Sequence, residues 1–169
     1  MKHGKSKLAR IDERLIHGQI MITLSQRAGV DSIFVVDDVV AKDKFMTDLY
    51  RSAGSRTGQK TIVMTADRCK YYWDEFDFKN YNCILITKTV DVIYDLVTHG
   101  VEMKELNVGG IAKKGDDDKQ VTKTVYLNED GARKLKEMHE DYGVEDIYFQ
   151  ATPSAEKTSL NTVLKEFGL

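Results

Sequence analysis

The chain has 169 residues, of which 41% are hydrophobic and 31% are charged, and its formal net charge at pH 7 is −2. This composition is typical of a globular domain with its own core, and it gives no general reason to expect nucleic-acid binding. No apolar run approaches the roughly 18 residues that cross a bilayer, and no secretory signal is recognisable. Cys69 and Cys83 lack metal or redox spacing, so we expect a single, reduced, cytoplasmic domain over residues 1–169.

Short apolar runs alternate with longer segments of helical period along the whole chain. The predicted strands are Leu8–Ile11, Ser32–Asp37, Thr61–Thr65, Asn82–Thr87, Glu105–Val108, Thr124–Leu127 and Asp146–Phe149. The runs 33–36 and 84–86 are continuously apolar, which is typical of strands that are covered on both faces. The segment Ile111–Thr122 has mixed charges and is expected to be a solvated, mobile loop.

Helical segments separate the predicted strands. They are Gly18–Ala28, Asp43–Ala53, Ala66–Glu75, Val90–His99, Glu129–Tyr142 and Ser159–Phe167. Thr65, Thr89 and Asn128 are suitable N-caps, and Gly54 and Gly100 suit the position after a last helical turn. The alternation predicts an α/β fold, with an open, mostly parallel sheet of about seven strands flanked by helices on both faces.

The residues that follow the first predicted strand carry the groups needed to hold a phosphoryl group. Residues 10–19 read Arg-Ile-Asp-Glu-Arg-Leu-Ile-His-Gly-Gln. His17 supplies a nucleophilic ring nitrogen near neutral pH. Arg14 supplies a planar, charged fork for phosphate oxygens, and Gly18 lets backbone N–H groups approach an anion. A histidine alone in a loop is more often a solvated side chain, so the indication comes from the whole run.

This ten-residue run closely resembles the active-site loop of the IIB components of the mannose-type sugar phosphotransferase system, the mannose/fructose/sorbose/N-acetylgalactosamine family. Members of that family carry Arg-Ile-Asp-Asp-Arg-Leu-Ile-His-Gly-Gln, or a near variant, close to the N-terminus. Glu13 stands where Asp is commoner, which keeps the charge. The resemblance extends to residues 35–38 and 107–110 in the expected order, and it covers essentially the full chain.

The resemblance implies a reaction and its partners. A IIA component would phosphorylate His17, which would pass the phosphoryl group to a sugar held by the membrane components IIC and IID. The protein would be cytoplasmic and would associate with the inner face of the membrane through these partners. No cofactor, metal or nucleotide is expected at this step, in keeping with the lack of a Walker-type string in the sequence. The sugar stays open, because the membrane components would select it.

Ligands in open α/β sheets bind beyond the carboxyl ends of the strands, so the separated motifs are expected to meet at one edge. Asp12 is expected to accept a hydrogen bond from one nitrogen of His17 and to leave the other free to attack. Capping of the first helix, or pairing with Arg10, is an equal alternative for Asp12. Gly18 opens a helix whose N-terminus favours an anion, and Gln19 is expected to donate to phosphate or to be solvated.

Other residues at the same edge are expected to support the site. Asp37 and Asp38 end the second predicted strand, where paired acids can bind Mg²⁺. We expect them instead to cap the next segment or to hold the arginine-containing loop by ion pairing, because such roles are commoner. Asn107, Gly109 and Gly110 are expected to allow close backbone approach to a partner's phosphohistidine, or simply to form a turn.

Two other classes of protein are alternatives. A receiver-like regulatory domain would be phosphorylated on an aspartate with Mg²⁺, and the pair Asp37 and Asp38 favours it slightly. The third predicted strand ends in Thr65 and carries no acid, so a phospho-acceptor aspartate is missing there. A nucleotide-binding domain is less favoured, because no G-x-G-x-x-G run follows a predicted strand.

Overall fold

The fold is described from a computed structural model, which covers residues 4–169 apart from the side chains of residues 19–21. Strands and helices alternate along the chain, and nine strands and seven helices lie within the described residues. The strands are β1 Lys5–Asp12, β2 Ser32–Val36, β3 Lys60–Met64, β4 Asn82–Thr87, β5 Glu105–Gly110, β6 Lys119–Gln120, β7 Tyr126–Leu127, β8 Asp146–Phe149 and β9 Thr158–Ser159. The helices are α1 Gly18–Ser25, α2 Asp38–Lys42, α3 Lys44–Ser55, α4 Ala66–Phe76, α5 Val90–His99, α6 Glu129–Asp141 and α7 Leu160–Lys165.

Seven strands form the main sheet in the order β3-β2-β4-β1-β5-β8-β9. All neighbouring pairs are parallel except β8 and β9, which are antiparallel. Strand β1 lies in the middle, where Ile11 is in register with Thr87 of β4 and Val108 of β5. The carboxyl end of β1 is therefore flanked by the carboxyl ends of two other strands. This confirms the predicted α/β class and the mostly parallel sheet.

Helices cover both faces of the sheet, because alternate side chains of each strand point to opposite sides. Ile33 and Val35 of β2 pack on one side with residues of the loop before α1 and of α1–α3. Phe34 and Val36 pack on the other side with residues of α4–α7. All four side chains are fully buried, as the continuously apolar run predicts. Among the described residues, no helix has the length and apolarity needed to cross a membrane.

Several helix boundaries follow the sequence signals. The side chains of Thr65, Thr89 and Asn128 accept the predicted capping hydrogen bonds at the N-termini of α4, α5 and α6. Gly100 caps α5 with φ of 120°, as expected of a glycine there. The prediction for Gly54 is wrong, because α3 continues to Ser55. An added Cβ at Gly54 would lie 1.7 Å from Oγ1 of Thr61, so close packing explains this glycine.

The segment after β5 differs most from its prediction. Residues 124–127 were expected to form a strand of the main sheet, but β7 forms a separate two-stranded ribbon with β6, which an isolated bridge between Ile111 and Val125 joins to the end of β5. Residues 111–122 are hydrogen-bonded rather than a free loop. The N–H of Ile111 donates to the carbonyl of Thr124 at 3.0 Å, and Oδ2 of Asp118 accepts from the N–H of Lys114 at 2.8 Å. The count of strands in the main sheet is nevertheless seven, because β9 replaces the predicted one.

Candidate functional site

A sharp turn after β1 folds the chain back onto the end of its own strand. The N–H of Leu15 donates to the carbonyl of Asp12 at 2.9 Å, and Leu15 has φ of 54°. A positive φ is unfavourable for a bulky residue, and the buried side chain of Leu15, 1% exposed, anchors the turn in the core. The N–H of Glu13 donates to the carbonyl of Gly110 at 3.1 Å, which ties the turn to β5.

Asp12 is the centre of this turn, and its side chain is wholly buried. Its Oδ2 atom lies 3.0 Å from Nη2 of Arg10 and 3.0 Å from Nε2 of His17. Arg14 approaches as a fork, with Nε 3.1 Å from Oδ1 and Nη2 3.2 Å from Oδ2. The backbone N–H of Arg14 also donates to Oδ1, at 3.0 Å. One carboxylate therefore holds both arginines and the histidine.

The charges around Asp12 favour its ionised form. Burial alone would raise the pKa of Asp12, but hydrogen bonds from Arg14 and His17, and the charge of Arg10, hold the pKa below its ordinary value. Burial lowers the pKa of Arg10, against the opposing effect of Asp12, but a guanidinium stays protonated in proteins. The site therefore contains a carboxylate and two guanidinium groups at neutral pH.

His17 lies at the N-cap position of α1 without capping it through its side chain. The ring is 24% exposed, and Nε2 is the nitrogen that faces Asp12. Among the described residues, the structure gives Nδ1 no hydrogen-bond partner. His17 lines a cleft of about 310 Å³ whose walls include Ile16 and Ile22, together with Ala53 and Arg56 from the end of α3. His17 thus borders a mainly apolar cleft.

Arg14 faces a different opening. Its side chain is 59% exposed, and it lines a cleft of about 390 Å³ with Asp12, Glu13 and Gly110. The two clefts share no lining residue, and Asp12 lies between the arginine and the histidine. The structure therefore brings Arg14 and His17 to the same site, where each of them contacts Asp12.

Gly18 follows the histidine with φ of 49°, a left-handed conformation that glycine adopts without steric cost. An added Cβ there would meet no atom within 4 Å, so its backbone conformation, rather than packing, requires glycine. Gln19 lies in the first turn of α1, and its predicted contact with phosphate falls on a side chain outside the described part of the chain.

Arg10 is a residue of this site that the sequence reasoning treated only as an ion-pair partner of Asp12. Its side chain is 1% exposed, and it donates to Oδ1 of Asn107 and, at 2.8 Å, to the carbonyl of Ala151. A Cβ on Gly109 would lie 2.1 Å from Nη2 of Arg10, so only glycine leaves room for this guanidinium. The available sequence signal was the spacing of Arg10 and Asp12, which are two positions apart on β1 and therefore point to the same face of the strand.

Asn107 and the two glycines therefore act beneath the turn rather than at its surface. The amide of Asn107 accepts from Arg10 and donates to the carbonyl of Gln150 at 3.1 Å. Gly109 gives space to Arg10, and a Cβ on Gly110 would lie 3.3 Å from Oδ1 of Asp12. The three residues lie within β5 and reach the site through Arg10 and Asp12, so the alternative that they form a turn is wrong.

Asp37 and Asp38 stabilise neighbouring helices. Oδ2 of Asp37 accepts from the N–H of Val40 at 2.9 Å and caps α2, a helix that the sequence reasoning missed. Oδ1 of Asp38 accepts from the N–H of Ala66, the first residue of α4, at 2.8 Å. Both carboxylates therefore accept backbone N–H groups at helix N-termini. Among the described residues, the ion pair of Arg14 is with Asp12 and not with either of them. Within that part of the chain, no cluster of three or more histidine, cysteine or acidic side chains is placed to hold a metal ion.

Glu13 connects the turn to the segment after β5. Its Oε1 atom lies 2.8 Å from Nζ of Lys114, and its side chain is only 25% exposed. Lys114 belongs to the hydrogen-bonded segment that precedes the β6–β7 ribbon. Glu13 is the residue at which the run 10–19 differs from the commoner family pattern, and its side chain contacts this segment.

Comparison with known proteins assigns almost the whole chain to one family. Residues 6–168 match the model of the PTS system sorbose subfamily IIB component. The crystal structure of manxB from Thermoanaerobacter tengcongensis is similar with a TM-score of 0.89 and 33% identity, over 99% of each chain. The sorbose-specific EIIB component of Lacticaseibacillus casei is 29% identical over 79% of this chain and 80% of its own length. The mannose-specific EIIAB component of Escherichia coli K12 is 32% identical over 78% of this chain, which spans 40% of that longer protein.

These matches define a sugar-specific IIB component of a phosphotransferase system. The chain belongs to the mannose-type family of such components, in the sorbose subfamily.

Proposed function

We propose that His17 carries a phosphoryl group, which it accepts from a phosphohistidine of a IIA component and passes to a sugar bound by the membrane components IIC and IID. The contact of His17 Nε2 with Oδ2 of Asp12, at 3.0 Å, is the observation that carries this proposal. An ionised carboxylate can only accept this hydrogen bond, so the ring proton is on Nε2 and the lone pair is on Nδ1. Uptake and phosphorylation of the sugar would thereby be coupled.

The reaction at His17 is an in-line displacement. Nδ1 attacks the phosphorus atom of the donor, a P–N bond to His17 forms, and the P–N bond to the donor histidine breaks. The ring of His17 becomes more positive as the bond forms, and Asp12 stabilises that charge through the Nε2 hydrogen bond. The donor phosphohistidine carries a proton on its other ring nitrogen, so it leaves as neutral imidazole, while phosphorylated His17 keeps its own proton on Nε2 and no base is needed for the transfer.

Arg14 is the residue proposed to bind the transferring phosphoryl group. Its side chain is 59% exposed, and the fork geometry of its guanidinium matches phosphate oxygens. The backbone N–H groups at the start of α1, from Gly18 onward, add a positive dipole end beside His17, and the side chain of Gln19 is proposed to donate to the same oxygens. Asp37, Asp38, Asn107, Gly109 and Gly110 are proposed to act by ordering the loops.

The partners follow from the family. The mannose-specific EIIAB match has a IIA part in its name, which supports a IIA component as the donor for this chain. We infer that the protein works in the cytoplasm, at the inner face of the membrane, because the acceptor sugar would be delivered by IIC and IID. The receiver-like alternative is not favoured, because the family match covers residues 6–168 and the side chains of Asp37 and Asp38 accept backbone N–H groups.

Labelling by a phosphorylated IIA component tests the assignment of His17. The protein is incubated with the donor, and the phosphorylated residue is located by mass spectrometry. His17→Ala should abolish labelling and leave the circular dichroism spectrum unchanged. His99→Ala is the matched control, because Nε2 of His99 also contacts an aspartate, Oδ2 of Asp74 at 2.8 Å, but lies at the end of α5. Undiminished labelling of His17→Ala would sink the assignment.

A further inference from the structure

The two arginines that share Asp12 have different freedom to move. Arg10 is 1% exposed and is held by Asn107 and by the carbonyls of Gln150 and Ala151, at 3.3 and 2.8 Å. Gly109 lies against its guanidinium with no room for a Cβ. Arg14 is 59% exposed, and the hydrogen bonds that the structure gives its guanidinium all go to Asp12. Arg14 can therefore rotate away, whereas Arg10 is fixed.

This difference matters because Arg14 and His17 line separate clefts. To present the same Nε and Nη2 fork to a phosphoryl group on Nδ1 of His17, the guanidinium of Arg14 must leave the carboxylate of Asp12. Removing the partner of a buried charge is costly when no second partner remains. Arg10 is that second partner, since its Nη2 lies 3.0 Å from Oδ2 of Asp12.

We propose that Arg10 is a positioning residue, a fixed counter-ion that keeps Asp12 ionised, holds the ring proton of His17 on Nε2 and frees Arg14 to follow the phosphoryl group. Only the last step, in which Arg14 follows the phosphoryl group, rests on the proposed function. The contacts of Arg10 reach β5 through Asn107 and the end of β8 through Gln150 and Ala151. The orientation of His17 therefore depends on three neighbouring strands of the sheet.

The first arm of the test measures the ring of His17 without any phosphoryl transfer. Nitrogen-15 chemical shifts of the unphosphorylated protein should show the Nε2–H form of His17 in the wild type. Arg10→Gln should give a mixture of the two ring forms. Gly109→Ala should have the same effect, because its Cβ would displace the guanidinium of Arg10. Gly115→Ala is the matched control, since a Cβ there would meet no atom within 4 Å.

The second arm measures single-turnover transfer from a phosphorylated IIA component at saturating concentration. Arg10→Gln should slow transfer about 10- to 100-fold, the range found when the outer partner of a metal-bound histidine is lost. Arg14→Lys should cost much less in the Arg10→Gln background than in the wild type, because Arg14 is then already retained by Asp12. Arg10→Lys, which keeps a cation in the buried position, should recover part of the rate.

Folding of each variant is checked by circular dichroism and thermal unfolding. If Arg10→Gln does not fold, Arg10→Lys and Gly109→Ala supply both readouts. Folded variants with wild-type ring shifts and wild-type transfer rates would overturn the proposal, as would strictly additive effects of Arg10→Gln and Arg14→Lys. A wild-type protein that is never labelled on His17 would refute the proposed function and leave the ring-form result intact.

Discussion

The Nε2 atom of His17 lies 3.0 Å from Oδ2 of Asp12, a carboxylate that ends the central strand of the sheet and is wholly buried. The contact exists because the chain reverses through the left-handed residue Leu15, which returns His17 to the end of its own strand. A short turn thus fixes which ring nitrogen is available at the surface. The geometry is local in sequence, because Arg10 and Arg14, which balance the charge of Asp12, are each two residues away from it. The residues from distant strands hold Arg10 instead.

Arg14 is expected to contribute more to transfer than Asp37 or Asp38. Arg14→Lys keeps the charge but loses the bidentate fork, and loss of one such contact at a developing oxyanion costs on the order of 3 kcal/mol, or about a hundredfold in rate. Asp37→Asn and Asp38→Asn weaken hydrogen bonds at the starts of α2 and α4, and should cost about tenfold or less. Single-turnover transfer from phosphorylated IIA ranks the three variants.

The opposite ranking would reverse these roles. A nearly normal Arg14→Lys beside an inactive Asp37→Asn or Asp38→Asn would make the acids the reactive groups and the arginine a structural partner. Circular dichroism of each variant separates loss of transfer from loss of fold.

The phosphoryl bond itself should have the stability of a phosphoramidate. A phosphoryl group on imidazole is labile in acid and comparatively stable in base, whereas an aspartyl phosphate is lost in base and to hydroxylamine. The label on the protein should therefore survive alkali and hydroxylamine, and transfer should proceed in EDTA. Loss of the label in alkali, or a strict requirement for Mg²⁺, would support the receiver-like alternative.

Asp12 should also make stability depend on pH in the acid range. Its pKa is lowered in the folded state, so its stabilising effect is complete above the unfolded value of about 3.9 and is lost as the pH falls through the folded value. Urea unfolding of wild type and Asp12→Asn should differ by about 3 kcal/mol near neutral pH, as expected for a broken buried ion pair. That difference should shrink below about pH 4. A difference that stays constant on acidification would show that Asp12 is not stabilised as an anion.

The ion pair between Glu13 and Lys114 should contribute little to stability. Lys114 is 59% exposed, and exposed ion pairs contribute about 0 to 1 kcal/mol. Glu13→Asp, which shortens the side chain by one methylene, should lower the free energy of unfolding by less than about 1 kcal/mol and keep transfer within about threefold of wild type. In a Lys114→Gln background, Glu13→Asp should have no further effect. A coupling energy above about 2 kcal/mol would instead make the pair a principal support of the turn.

The fold was predictable because its signals are local. The apolar run 33–36 predicts a strand buried on both faces, and Thr65, Thr89 and Asn128 fix the starts of three helices. Helix α2 was missed because five residues are too few to show a helical period. Strand β7 lies within the predicted strand 124–127, but its partner β6 was missed because β6 has only two residues in a segment of mixed charges that suggests solvent.

The candidate site was predictable only in part. The run 10–19 contains Asp12, Arg14 and His17, so their proximity follows from a turn after the first strand. The hydrogen bonds of Arg10 to Asn107 and to the backbone at Gln150 and Ala151 depend on the order of strands β1, β5 and β8. Strand order is a property of the whole chain that no short pattern carries.

The close contact between Arg10 and Gly109 limits how this chain can be recombined with its relatives. A Cβ at position 109 would lie 2.1 Å from Nη2 of Arg10, although the two residues belong to different halves of the sequence. A chimera joined between β1 and β5 would inherit position 10 from one parent and position 109 from the other. The chimera would form the site at the carboxyl end of β1 only if it has both arginine at position 10 and glycine at position 109. The two positions must therefore be exchanged together.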